Sequence, residues 1–130
     1  MPRRSRPGWR DEAAAALVVR HRSTLPLQPP VLVAKDPRRE VEEEMRGTGW
    51  QVGVWHRRAL EGRPASPWPP PGPWGSALLR LPRTRDELVM DLHAAASVLA
   101  PGGALILYGA KDEGIGSSLR RMEGLFRDVD

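Results

Sequence analysis

The stretch with the clearest chemical possibilities is GAKDEGIGSS, Gly109 to Ser118. It follows the apolar run ALILY and precedes residues with helical spacing, so it would join the carboxyl end of a strand to the amino end of a helix. Loops in that position bind ligands in open α/β sheets, because the free amides of a helix amino end attract anions. Gly109, Lys111, Gly114 and Gly116 are therefore the candidate cofactor contacts. Their spacing departs from the familiar phosphate cradles: the three glycines do not form GxGxxG, and GIGSS lacks a lysine after its second glycine. Glycines needed only to turn the chain would look the same.

Other reactive side chains offer less. Ser117 and Ser118 have no histidine nearby in sequence and no G-x-S-x-G elbow around them, and they suit helix caps. Asp112 and Glu113, adjacent in a loop, would point apart and lack the burial that tunes a catalytic carboxylate. His21, His56 and His93 are too scattered for a zinc spacing. Cysteine is absent, which excludes disulfides, thiol nucleophiles and cysteine metal sites. No catalytic residue and no metal ligand is expected.

The charge pattern has two readings, a polyanionic partner and a GC-rich coding bias. The formal net charge is +4, and of 20 basic residues only Lys35 and Lys111 are lysines. Arginine meets phosphate bidentately, so the charge would suit a polyanion such as RNA. The candidate phosphate contacts are Arg3, Arg4, Arg6 and Arg10 in the opening MPRRSRPGWR, with Arg83 and Arg85 later. A GC-rich coding bias, visible in the absence of asparagine, would enrich arginine equally. Trp50, Trp55, Trp68 and Trp74 lie near Arg57, Arg58 and Arg63 and could stack on unpaired bases; the competing role for them is core. The connector EGRPASPWPPPGPWG, residues 61–75, is either a preordered segment for a partner's groove or a rigid loop whose Trp68 and Trp74 cover the sheet.

These residues need a scaffold. A chain of 130 residues builds one core, and no apolar run approaches the roughly 20 residues that span a bilayer, so no membrane span is expected. Residues 1–10 read as a disordered basic arm and 11–130 as one domain. The expected location is cytoplasmic, or an organelle if the arginine-rich start is a transit peptide.

Periodicity and punctuation predict a helix over Asp11–Arg22, a strand over Val31–Ala34, and a helix capped by Asp36 and running from Pro37 to Gly47. Strands follow over Trp50–Trp55 and Ser76–Leu81. Thr84 and Glu87 form a capping box, opening a helix with Leu88, Val89, Leu92, Ala95, Ala96 and Leu99 on one face. Pro101–Gly103 turns the chain into the strand ALILYG, and Leu119, Met122, Leu125 and Phe126 mark a last helix. The alternation argues for an α/β fold with a mainly parallel sheet and flanking helices.

Two longer stretches, VVRHRSTLPLQPPVLVAKDP and LLRLPRTRDELVMDLHAAASVLAPGGALILYGAKDEGIGSS, carry a family resemblance. Over Ala13 to Ser118 the chain resembles the amino-terminal half of bacterial small-subunit rRNA guanine methyltransferases. The marking points are the RH segment before the first strand, LPRTRDE ahead of the long helix, and PGGALILYGAKDEGI. The resemblance implies a Rossmann-like, class I methyltransferase-like fold, incomplete in this chain. In that family a degenerate first half, implied to help with folding and RNA binding, is joined to a second half that binds S-adenosylmethionine. The resemblance thus implies a non-catalytic domain that supports rRNA binding and a catalytic half in cis or trans. S-adenosylmethionine then belongs to the full-length family and is not bound here.

Two departures bear on that expectation. VLVA is followed by Lys35, Asp36 and Pro37 in place of the glycine-rich turn expected after the first strand. The family's Asn-Pro-Pro-aromatic turn is missing, since the chain has no asparagine, so no catalytic residue carries over. The chain is expected to be a fragment of a longer protein. The alternatives are a free-standing S-adenosylmethionine-binding methyltransferase that uses the Tyr108 to Ser118 loop, and an interaction module acting through Trp68 to Trp74.

Overall fold

A computed structural model describes residues 8–58 and 65–109. Expectations for Arg3, Arg4, Arg6, Lys111, Gly114, Gly116 and the last helix lie outside these residues.

The short apolar run Val31–Ala34 becomes strand β1, with all four residues buried. Burial on both faces is what a central parallel strand requires. Strands β2 (Val52–Trp55), β3 (Trp74–Arg80) and β4 (Leu99–Tyr108) complete a sheet in the order β2-β1-β3-β4, with every neighbouring pair parallel. Helices α1 (Trp9–His21), α2 (Glu40–Gly47) and α3 (Arg85–Val98) flank it. The mixed α/β architecture and its parallel sheet agree with a Rossmann-like arrangement.

Alternation along the strands separates two cores. Val31 and Val33 of β1, Leu78 of β3 and Tyr108 of β4 pack with Ala14, Ala15 and Val18 of α1 and with Val41 and Met45 of α2. Leu32, Ala34, Trp55, Ala77 and Leu79 point the other way, onto Leu88, Leu92 and Ala94 of α3. The β1-to-β2 and β3-to-β4 connections move outward in opposite directions, so crossovers of one hand place α2 and α3 on opposite faces.

Several boundaries differ from the sequence reading. Helix α1 starts at Trp9: the Glu12 amide bonds the Gly8 carbonyl at 3.0 Å, which puts Trp9 and Arg10 in the helix and not in an arm. Helix α2 begins at Glu40, because Asp36 spends its carboxylate on a tight turn, accepting from the Arg38 amide at 2.8 Å. Val89 is 40% exposed, while Asp91, two residues on, is buried. The Pro101–Gly103 turn lies inside β4 as a bulge. Leu99 pairs with Trp74, and the ladder resumes only at Ser76 with Ala104, with Gly102 at φ +80.

Gly53 of β2 admits the Trp74 indole, which reaches across the α3 face of the sheet. A Cβ at Gly53 would lie 2.3 Å from Trp74 Cη2, and the ring is anchored by Trp74 Nε1 donating to the Pro70 carbonyl at 2.9 Å. Gly53→Ala should therefore cost about 1–3 kcal/mol through overpacking. The urea midpoint reads this, and an unshifted midpoint would show that the ring yields freely.

Candidate functional site

In an open parallel sheet, ligands bind beyond the carboxyl ends of the strands, where connections leave in opposite directions and a crevice opens. In the order β2-β1-β3-β4 that point lies between β1 and β3. The residues leaving these two strands are Lys35 and Asp36 after β1, and Arg80 and Leu81 at the end of β3.

On the α3 side, Lys35 dominates. Its φ of 68 is the left-handed conformation that glycine adopts without strain and lysine does not. The side chain turns inward, and Nζ donates to Glu87 and, at 3.1 Å, to Asp91 Oδ2. Glu87 and Asp91 stand four residues apart on α3, hence on one helix face. Arg57, just past β2, completes the cluster with Nη1 2.8 Å from Asp91 Oδ1. That oxygen has no hydrogen bond, so its contact with Arg57 is an ion pair without hydrogen-bond alignment. The Trp55 ring lies 5.7 Å from Lys35 Nζ and 5.0 Å from the Arg57 guanidinium, and its Nε1 donates to the Ser66 carbonyl at 3.0 Å.

Burial pushes the Asp91 carboxyl above the usual range, against the lowering pull of Lys35 and Arg57. Glu87, closer to the surface, is held below its usual value mainly by the Lys35 hydrogen bond. Lys35 lowers both carboxyls, but only at Asp91, which is fully buried, does burial outweigh that pull.

On the α1 side, the Tyr108 hydroxyl donates to Asp36 Oδ2 at 2.6 Å. Arg80 reaches Asp11 in the first turn of α1 at 2.9 Å and its own neighbour Leu81 at the carbonyl, 3.4 Å away. Burial raises the Asp36 carboxyl, opposed by the bonds from Tyr108 and the Arg38 amide and by the charge of Arg80. Burial, reinforced by the Asp36 charge, pushes the Tyr108 hydroxyl well above its usual value.

The two clusters place the protein's own charged side chains at the crevice. On the α3 side two cations, Lys35 and Arg57, meet two carboxylates, Glu87 and Asp91; on the α1 side Arg80 stands with Asp11 and buried Asp36. Two grooves exist elsewhere. One, of 430 Å³, lies between α1 and α2 over Ala15, Ala16 and Val19; the other, of 350 Å³, lies between Trp68, Pro71 and Val98. Among the described residues no group of three or more His, Cys, Asp or Glu is placed to hold a metal. Among them, too, no helix is long and apolar enough to cross a membrane.

The sequence candidates divide. Gly109 is buried just past β4, which among the described strands is an edge strand beside β3 and not one of the two that flank the crevice. Arg10 is exposed and stacks on Trp9 at 4.7 Å. Arg83 and Arg85 are exposed beside the first turn of α3. All three belong to the carboxyl edge, as the Asp11–Arg80 pair places the start of α1 there too, but Arg10 lies on the opposite face of the sheet. Trp55 and Trp74 are buried, Trp50 is half-buried, and Trp68 is 53% exposed. Trp74 therefore packs into the sheet face, whereas Trp68 stays half exposed beside Val98 and Leu99.

The capping box is half realised. Thr84 Oγ1 accepts the Glu87 amide at 3.2 Å, but the Glu87 carboxylate goes to Lys35 instead of back to the cap. Sequence reasoning misses Lys35, Asp91, Asp36, Arg80 and Tyr108 as site residues, and names Arg57 only as a neighbour of the tryptophans. One signal could have found Asp91: a carboxylate on the apolar stripe next to Leu92 demands a buried cation. Searched against known proteins, the chain matches no family model and no curated protein.

Proposed function

We propose that this chain is the non-catalytic, Rossmann-like domain of an S-adenosylmethionine-dependent rRNA guanine methyltransferase, supporting RNA engagement and a catalytic half in cis or trans. The observation that carries the reading is the Lys35, Glu87, Asp91 and Arg57 cluster standing where such a fold would hold a cofactor. A nucleoside-sized ligand needs a cavity of roughly 300 Å³ or more and a glycine turn that lets the backbone approach it. Lys35 supplies a side chain and Asp36 a buried carboxylate at that turn instead. The residues present do not fit S-adenosylmethionine, and no step is derived through it.

The sheet then serves as a scaffold, with arginines at its carboxyl edge available to RNA. Calorimetric titration of the folded chain with S-adenosylmethionine and S-adenosylhomocysteine tests the reading. Absence of saturable heat is the expected result. Stoichiometric binding of either compound would overturn it and favour a free-standing methyltransferase.

A further inference from the structure

We infer that exposed Arg58, Arg83 and Arg85 form one surface that tracks the phosphate backbone of single-stranded RNA without reading its bases. This rests on the proposed RNA-supporting role and deepens it. Arg58 follows β2, and Arg83 and Arg85 follow β3 into α3; all three are exposed. Parallel pairing brings the carboxyl ends of β2 and β3 to one edge, two strand spacings or about 10 Å apart. Glu87 marks their meeting point, since it shares the first turns of α3 with Arg85 and feels the charge of Arg58.

The cluster beneath explains why these arginines face outward. Glu87 and Asp91 are already committed to Lys35 and Arg57, so the inner carboxylates are satisfied by the inner cations. Among the described residues Arg83 and Arg85 make no ion pair; exposed Asp86 is the one carboxylate beside them in sequence. The amino end of α3 adds partial positive charge at the same place. At the other end of the helices the balance differs: Arg22 is paired with Glu44, and Arg46 with Glu42.

Strong stacking of unpaired bases uses an exposed aromatic face, to which a guanidinium plane is the weaker counterpart. Trp55, the aromatic side chain of this cluster, is 1% exposed beneath Lys35 and Arg57. With no aromatic platform in this cluster, the arginines act mainly on phosphate, and binding should depend little on base sequence and steeply on salt.

The test compares the full chain with R58Q/R83Q/R85Q in fluorescence titrations of an oligouridylate of about 12 nucleotides over a salt series. Each lost phosphate contact on a single strand lowers the slope of log K against log salt by about 0.7, so the triple variant should flatten it by about 2. Single variants should each take about a third of that, and they serve if the triple variant loses its circular-dichroism spectrum. R20Q/R22Q/R46Q removes the same charge from the opposite edge and should keep the slope. An oligoadenylate should bind as the oligouridylate does.

If both triple variants weaken binding equally, net charge alone attracts RNA and the inference fails. It also fails if the rim variant keeps its slope, or if one base is strongly preferred. A chain that shows no salt-dependent binding at all would instead overturn the RNA-supporting reading itself.

Discussion

Lys35→Met should destabilise the domain by about 3 kcal/mol, the lower end of the loss seen when one partner of a buried ion pair is removed. Asp91 is fully buried, and its Oδ2 accepts from Lys35 at 3.1 Å. The variant leaves that carboxylate with Arg57 alone, whose contact lacks hydrogen-bond alignment. Lys35→Gly loses the same ion pairs but relieves the left-handed backbone, and should recover about 1 kcal/mol of the loss. Adding Asp91→Leu to Lys35→Met removes the stranded charge and fills its place, which should restore most of the stability. Urea unfolding of the four proteins reads all of this. A loss below about 1 kcal/mol for Lys35→Met, within the range of an exposed pair, would show that Lys35 does not hold the buried charge.

The same cluster has a pH signature. Glu87 is held below its usual 4.5 by Lys35, so its contribution is present above that value and is lost as pH falls through the folded one. That part of the wild-type advantage over Lys35→Met should fade in acid.

Arg80→Met should cost a similar amount, about 3 kcal/mol, by another route. Arg80 is 4% exposed and ties β3 to the first turn of α1 through Asp11. Removing it frees Asp11, which can turn to water, and deprives buried Asp36 of a lowering charge. The folded-state value of Asp36 already lies above 3.8. Its contribution is therefore fully present below that value and lost as pH rises through the folded one.

Without Arg80 that folded value climbs further, and neutral pH becomes more costly. The stability gap between wild type and Arg80→Met should be narrow near pH 4 or below, where carboxylates protonate, and widen towards neutral. Asp36→Asn removes this dependence while an amide still accepts from the Arg38 N–H and donates to the Tyr108 hydroxyl. Melting temperatures across that range decide it. A gap that stays constant with pH would show that Arg80 acts on Asp36 only through packing.

Local chemistry carried much of the fold into the sequence. VLVA, VGVW and SALLR are read as strands from their apolar content alone, and Thr84 announces the start of α3 through a bond three residues long. Composition also restricted the chemistry, since the missing cysteine and asparagine remove whole classes of site whatever the fold. The clear misplacements came where a distant partner overrode a local preference. Leu99 joins β4 because Trp74 pairs with it. The Glu87 carboxylate leaves its cap for an ammonium 52 residues away.

By itself, then, the sequence determined the alternation of elements, the lack of a glycine turn after VLVA and of any asparagine, and an arginine-rich charge. Tertiary structure alone decided the strand order, the convergence of Arg58 with Arg83 and Arg85 on one edge, and the placing of Lys35 and Asp36 at the crevice. Those contacts join residues such as Tyr108 and Asp36, 72 positions apart. Spacing along a chain encodes which face of a helix or strand a residue occupies, whereas which faces meet depends on the sheet order and on the burial that offsets the cost of each charge.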